Sequence, residues 1–341
     1  MSTYPHTPTS NRDGLSPWLS MAYQVLAGKP LSDNQALSIL EAHDDELLEV
    51  LQGAFILRKR YFGRKVKLNR ILNAKSGLCP EDCGYCSQSA VSTAAIAKYS
   101  LLDKETIVNE AKLTLKQQIG TFCIVASGRG PSRREVEQVA AAVREIKQSM
   151  PLKICACLGI LSAEQAQLLK EAGVDRYNHN LNTPREHFSQ ITTTHTYNDR
   201  VSTVNQAKLA GLSPCSGCIV GMGETKQELI QLARELHELD VDSIPVNFLM
   251  RIAGTPLAQQ PAALTPRYAL KVLALFRYIC PSKEIRISGG RELHLRSLQA
   301  LGLYAANSIF VGDYLTEEGQ SSSQDHQMIE DLGFEIEVCA L

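Results

Sequence analysis

The sequence predicts an α/β protein built on a (β/α)8 TIM-type barrel, and three observations carry that prediction. Eight short runs with strand character recur along the chain, and helical patterns fill every gap between them. The alternating stretch, Leu68 to Gly312, has about the 250-residue length of one such barrel. A doubly wound open sheet is the alternative topology that the same alternation allows.

Taken in order, residues 1–14 are rich in Ser, Thr, Pro and Asn and are expected to be disordered. Residues 15–66 form an N-terminal helical extension. Its pattern is helical from Leu15 to Phe62, with Pro30 and Asp33 marking a stop and a start, and Ser32 as N-cap of a helix through Leu40. The barrel is assigned to residues 67–314. Its strands are expected near 68–74, 121–127, 153–158, 175–181, 214–220, 243–249, 284–289 and 307–312. Its helices are expected near 103–118, 133–148, 162–172, 198–210, 225–239, 266–279 and 292–303. The tail, 315–341, is expected to pack on the barrel through a short helix from Asp325 to Leu332.

Composition narrows the function. The chain has 341 residues, of which 44% are hydrophobic, so a large core is available. A net charge of −1 offers no basic field for nucleic acid or an anionic membrane. The opening MSTYPHTPTSNRDGLSPW lacks the apolar core of a signal peptide. The richest apolar stretch, Ala269 to Cys280, is short and contains Lys271 and Arg277, which argues against a membrane span. A cytoplasmic protein is expected. In a reducing compartment its ten cysteines point to metal or redox chemistry rather than to disulfides. Cys280 and Cys339 stand alone and read as apolar fillers or surface thiols.

Three strands carry polar residues at every second position: Glu284-Ile-Arg286-Ile-Ser288, Asn178-His-Asn180-Leu-Asn182 and Ser243-Ile-Pro-Val-Asn247. Period two puts each polar set on one face. In a barrel the apolar set faces the helices, so the polar set faces inward, where branched apolar side chains are usual. A polar interior implies a polar guest; an edge strand facing water is the competing reading.

The segment Gly77-Leu-Cys79-Pro-Glu-Asp-Cys83-Gly-Tyr-Cys86 follows the first strand with C-x3-C-x2-C spacing. Three thiolates on one loop can hold three corners of a [4Fe–4S] cubane and leave the fourth iron open to a small molecule. Zinc is the alternative, but it normally adds a second paired element, and none is evident. This spacing, with an aromatic residue before the last cysteine, resembles the radical S-adenosylmethionine superfamily. The resemblance implies reductive cleavage of S-adenosylmethionine to a 5′-deoxyadenosyl radical, a species suited to a closed barrel interior.

A closer resemblance runs through Asn73-Ala-Lys-Ser-Gly-Leu-Cys-Pro-Glu-Asp-Cys83, Tyr177-Asn-His-Asn-Leu181, Cys215-Ser-Gly, Gly221-Met-Gly-Glu-Thr225, Gly254-Thr-Pro-Leu257, Ile287-Ser-Gly-Gly-Arg-Glu292 and Ala306-Asn-Ser-Ile-Phe310. These strings, in this order, resemble the biotin synthase family. The resemblance implies sulfur insertion into dethiobiotin to give biotin, with two S-adenosylmethionine molecules per turnover. It also implies a [2Fe–2S] cluster as sulfur source, held by Cys123, Cys155, Cys215 and Arg286. Unaided, an inward arginine reads as a carboxylate or phosphate clamp. From placement alone, Ser243, Ser288 and Ser308 are expected to position its guanidinium.

For small molecules, the family pattern places Asn180 and Asn182 at S-adenosylmethionine, with Tyr85 at adenine, and Asn178, Asn180 and Asn247 at dethiobiotin. Strand-end hydrogen bonding is the structural alternative for Asn178 and Asn180. His179, on the opposite face, reads as packing. No catalytic residue is expected beyond the cluster ligands. The chain departs from the family at Asn182, where an acidic residue is common, and at Thr121, where an arginine is common. Cys157 and Cys218 are extra thiols: Cys157 shares the face of Cys155, whereas Cys218 is expected to face away on a regular strand. The resemblance also implies a reductant such as flavodoxin or ferredoxin, and a homodimer. Another radical enzyme, a maturase or mutase, is the competing activity; an iron–sulfur redox sensor is the non-enzymatic one.

Overall fold

A computed structural model describes residues 15–261 and 264–337; the N-terminal 1–14 segment and Cys339 lie outside them. Three helices come first: α1 (Pro17–Leu26), α2 (Asp33–Glu41) and α3 (Leu47–Phe62). Ser32 caps α2 as expected, accepting from the Gln35 backbone N–H while the Gln35 side chain bonds back to the Ser32 N–H.

The alternation that follows is β1 (Lys65–Lys75), α4 (Lys104–Lys116), β2 (Thr121–Ala126), α5 (Arg133–Ser149), β3 (Lys153–Cys157), α6 (Ala163–Glu171) and β4 (Arg176–Asn178). Next come α7 (Phe188–Ile191), α8 (Tyr197–Leu209), β5 (Ser213–Cys215), β6 (Cys218–Val220), α9 (Lys226–Glu238) and β7 (Ser243–Phe248). The barrel ends with α10 (Pro266–Ile279), β8 (Glu284–Ile287), α11 (Arg291–Leu295), α12 (Gln299–Gly302) and β9 (Ser308–Phe310). All pairings between these strands are parallel, and β1 bonds to both β2 and β9, which closes the barrel. The expected (β/α)8 architecture is therefore present.

Several details differ from the sequence expectation. The 214–220 run is broken into β5 and β6 because Gly217 turns the chain against Pro245; a Cβ there would lie 1.9 Å from the Pro245 carbonyl oxygen. The helix expected over 292–303 is split, since Arg296 has φ +51. The tail helix α13 (Ser322–Asp331) starts three residues early, where Ser321 caps it. Beyond it, β10 (Glu335–Ile336) pairs with Lys65 and Val66, extending the sheet outside the barrel.

Helix α10 is buried on nearly every side, between the barrel and α2 and α3, which is why its sequence is apolar all round. Arg277 is tolerated there because its donors reach Ala305 O, Pro281 O, Lys283 O and Asn307 Oδ1 at 2.7–2.9 Å.

Candidate active site

The thiol loop leaves the C-terminal end of β1, where barrel enzymes place their chemistry. Cys79, Cys83 and Cys86 border one cavity of about 330 Å³. The loop is tightly held. Asp82 accepts from Thr192 Oγ1 at 2.6 Å, from Thr193 N at 2.9 Å and Oγ1 at 2.5 Å, and from Thr194 Oγ1 at 3.0 Å. These bonds outweigh burial and hold its carboxyl below the usual range. Glu81 bonds Thr194 Oγ1, Arg129 and His195. Because Arg200 Nε must donate to His195 Nε2 (3.0 Å), the histidine proton sits on Nδ1 and faces Glu81. Arg200 then donates to the Asn180 carbonyl at 2.7 Å, joining the thiol loop to the floor of the cavity.

Burial pushes the Cys79 thiol up, and the Cys86 thiol up to about 12, with repulsion from neighbouring thiolates adding to it. Binding iron reverses that balance, because a coordinating thiol is deprotonated by the metal charge. Among the described residues no three His, Cys, Asp or Glu side chains converge enough for a single ion.

Asn178, Asn180, Asn182, Asn247 and Tyr85 also border this cavity. Contrary to the sequence expectation, Asn178, Asn180 and Asn182 do not share one strand: β4 ends at Asn178 and Asn182 has φ +69. Asn178 Nδ2 donates to Asn180 Oδ1 at 2.9 Å and lies 3.2 Å from Cys215 Sγ. Asn180 Oδ1 also accepts from Gly217 N at 3.1 Å. The Asn182 amide donates to the Tyr85 hydroxyl. Asn247 is held at both ends by main chain, donating to Cys218 O at 2.9 Å and accepting from Gly289 N at 3.0 Å. His179 borders the cavity rather than facing away; its Nε2 lacks a partner among the described residues, and burial keeps the ring neutral.

Below this level lies a second, drier set. Cys123 and Cys155 are paired across β2 and β3, and Cys155 and Cys215 stand close enough to shift one another's thiols. All three are at most 3% exposed. Arg286, 1% exposed, directs Nη1 toward Cys215 Sγ at 4.0 Å. Its Nε donates to Ser308 Oγ (3.2 Å), and Nη2 donates to Ser243 Oγ (3.1 Å) and Glu284 Oε1 (2.6 Å). Ser288 is a correction: its hydroxyl bonds the Arg286 carbonyl, not the guanidinium. The neighbouring Asn69 is fully buried with Oδ1 unpartnered among the described residues. Three soft thiols and a pinned guanidinium fit an iron–sulfur guest better than a packed core.

Cys157 stands one level above Cys155 and borders the upper cavity, its thiol pushed up to about 12 by burial. Cys218 is not on a regular strand with Cys215, given the break at Gly217; it is buried in the apolar core.

The model of the Radical SAM superfamily matches residues 75–236, and that of the Biotin and Thiamin Synthesis associated domain matches residues 245–335. A biotin synthase of Geobacillus thermodenitrificans is 66% identical over 320 residues, covering 94% of this chain and 96% of that protein. The biotin synthase of Bacillus subtilis (strain 168) is 62% identical over 323 residues, covering 95% and 96%. The chain belongs to the biotin synthase family. It is a radical S-adenosylmethionine enzyme, with a [4Fe–4S] cluster and S-adenosylmethionine as cofactors. Solved structures share the fold: methylornithine synthase at TM-score 0.82 and 20% identity, covering 93% of this chain and 97% of that one. The FeFe-hydrogenase maturase of Carboxydothermus hydrogenoformans follows at 0.78 and 17%, covering 95% and 80%.

Within this biotin synthase framework, sequence reasoning missed the groups that hold Arg286 and the thiol loop in place. Glu284 is 3% exposed and receives Arg286, Ser243 Oγ (3.0 Å) and Arg176 Nη1 (3.1 Å), with Lys67 at 3.4 Å. Burial alone would raise its carboxyl, but these cations hold it well below the usual range. The period-two pattern that exposed Arg286 already contained Glu284. The Thr192–His195 clamp carried no such periodicity.

Proposed function

We propose that this enzyme makes biotin by radical insertion of sulfur between two unactivated carbons of dethiobiotin, consuming two S-adenosylmethionine molecules per turnover. The observation that carries the reading is the stacking of two separate thiol sets along one barrel axis. Cys79, Cys83 and Cys86 would hold the [4Fe–4S] cluster, which with S-adenosylmethionine supplies the hydrogen-abstracting radical. Cys123, Cys155, Cys215 and Arg286 would hold a [2Fe–2S] cluster, which supplies the sulfur.

The remaining work falls to the protein. Tyr85, Asn180 and Asn182 hold the cofactor's nucleoside, and Asn178, Asn180 and Asn247 match the donors and acceptors of the ureido ring. The main-chain bonds to Asn247 and Asn180 fix their amides before ligand arrives, so little rotamer freedom is lost on binding. Glu284, Ser243 and Ser308 aim the guanidinium at Cys215. The enclosed cavity keeps water from the radical.

The same reading takes residues 15–66 as a helical extension, 67–314 as the barrel and 315–341 as a packed tail. It takes the enzyme as a cytoplasmic homodimer reduced by a flavodoxin- or ferredoxin-like donor; no described helix is long and apolar enough to cross a membrane.

Anaerobic reconstitution with iron and sulfide should load more than about four irons per chain, and four or fewer would remove the second cluster. Cys79→Ala should abolish S-adenosylmethionine cleavage. Cys123→Ala should spare some cleavage yet stop biotin formation, and equal biotin yields from both would sink the division of roles.

A further inference from the structure

A second cavity, of about 730 Å³, opens at the opposite, N-terminal end of the barrel. Lys67, Lys147, Lys153 and Arg176 line it, with Asp175 and Glu337. The usual filling of a barrel at this level is branched apolar side chains. Here cations outnumber carboxylates. Lys147 and Lys153 share Asp175 at 2.5 and 3.5 Å, and Lys67 and Arg176 share the buried Glu284 at 3.4 and 3.1 Å. Arg286 leans on that same Glu284, at 2.6 Å.

The position of this vestibule is what gives it meaning. Thr121, Lys153 and Ser213, on its wall, each stand two residues before Cys123, Cys155 and Cys215. Two residues along a strand is about 6.6 Å, with both side chains on the same face. Thr121 and Ser213 are small and polar, so on β2 and β5 no bulky apolar side chain stands beneath the thiols; on β4 the ion-paired Arg176 stands there. The upper cavity, by contrast, is walled at Cys157, Val125 and Asn178, one level above the thiol set.

We propose that the vestibule is an anion-selective entry through which hydrosulfide reaches Cys123, Cys155 and Cys215 from below. It rests on the reading of those residues as a cluster site. The excess of fixed positive charge concentrates a small anion, and the site's own thiolates are not crossed on the way. Organic substrate and inorganic sulfur then use opposite ends of the barrel and do not compete for one opening.

The test is the rate of second-cluster formation in the full chain, with ferric iron saturating, so that no separate oxidant is needed, and sodium hydrosulfide varied under anaerobiosis. Mössbauer spectra of isotopically enriched iron separate the two clusters, so no activity is needed. Lys153→Glu, on a side chain 67% exposed, reverses a charge at the mouth without disturbing packing. It should slow hydrosulfide-dependent filling of the second site by about three- to tenfold at low salt, and the effect should vanish at high salt. Thr121→Leu, which restores an apolar plug, should slow it at every salt concentration. Neither variant should alter filling of the Cys79–Cys83–Cys86 site. Unchanged second-site rates in both variants overturn the entry while leaving the cluster reading intact. Filling that stops when S-adenosylmethionine and dethiobiotin occupy the upper cavity overturns it as well. A wild-type chain that never fills a second site overturns both.

Discussion

Glu284→Gln removes one charge and almost no volume, at the point where the barrel interior depends most on charge balance. The carboxylate is 3% exposed and faces Arg286 at 2.6 Å, Arg176 at 3.1 Å and Lys67 at 3.4 Å. Arg286 is 1% exposed and has no water to fall back on. Removing one member of a buried charge cluster leaves the others uncompensated, at a cost of about 3–5 kcal/mol. For a chain longer than 250 residues, each kcal/mol lowers the melting temperature by about 2–3 °C, so the apo-protein should lose about 6–15 °C. Matched-rate thermal scans check this, read by calorimetry and far-UV circular dichroism. A second arm uses cluster-loaded protein. If the second cluster is held as proposed, three thiolates beside Arg286 bring negative charge to the guanidinium, so loading should recover part of the loss. An apo-protein melting within about 2 °C of wild type would refute the claim that Glu284 balances the buried arginines, as would a loss no smaller in the loaded form.

Acid should expose the same group. Burial favours the neutral Glu284 carboxyl, but Arg176, Arg286 and Lys67 prevail and hold it well below the ordinary value. The unfolded chain therefore takes up this proton first. The contribution is complete above the ordinary glutamate range, near pH 4.3, and is lost as pH falls through the lower folded value. Glu284→Gln should flatten the acid limb of stability against pH, and parallel limbs would count against it. Gly217→Ala would force a methyl to within 1.9 Å of the Pro245 carbonyl and displace Asn180, which bonds the Gly217 N–H. Calorimetry should register a loss above about 3 kcal/mol, and S-adenosylmethionine binding should weaken at least tenfold; near-normal values in both would show the turn to be slack. Asp82→Ala should leave the melting temperature within a few degrees yet shorten the lifetime of the first cluster under chelator by about fivefold, since the Thr192–Thr194 bonds restrain the loop and not the core. An unchanged lifetime removes that role.

What was legible in the sequence follows the range of the signal. Strands and helices of the barrel declare themselves through local period and through caps such as Ser32, and each expected strand run holds an observed strand. The inward polar face was legible because period two is exact; Glu284 shares the face of Arg286, but period alone does not show which cations it receives. What failed was non-local. Asn182 leaves the strand because its backbone adopts φ +69, which puts its amide on the Tyr85 hydroxyl. Asp82 and Thr192 are 110 residues apart in sequence and 2.6 Å apart in space. The pairing of Glu335 with Lys65 joins segments far apart in the chain, and no window of local sequence carries it.

The barrel interior is ordered by strand position, and that order separates incompatible chemistries. Stepping up β3, Lys153 borders the vestibule, Cys155 belongs to the buried thiol set, and Cys157 borders the upper cavity. The same step on β2 runs Thr121, Cys123, Val125. Each level differs from the next by two residues, so a one-residue slip would exchange the thiols for apolar neighbours such as Ile154 and Ile124 and abolish the site. Closure through β1 and β9 forbids that slip. An open sheet with the same residues would leave an edge at which register could drift. The closed barrel is thus what keeps thiols, amides and guanidinium on one axis, through main-chain pairing in which Cys123, Cys155, Cys215 and Arg286 themselves take part.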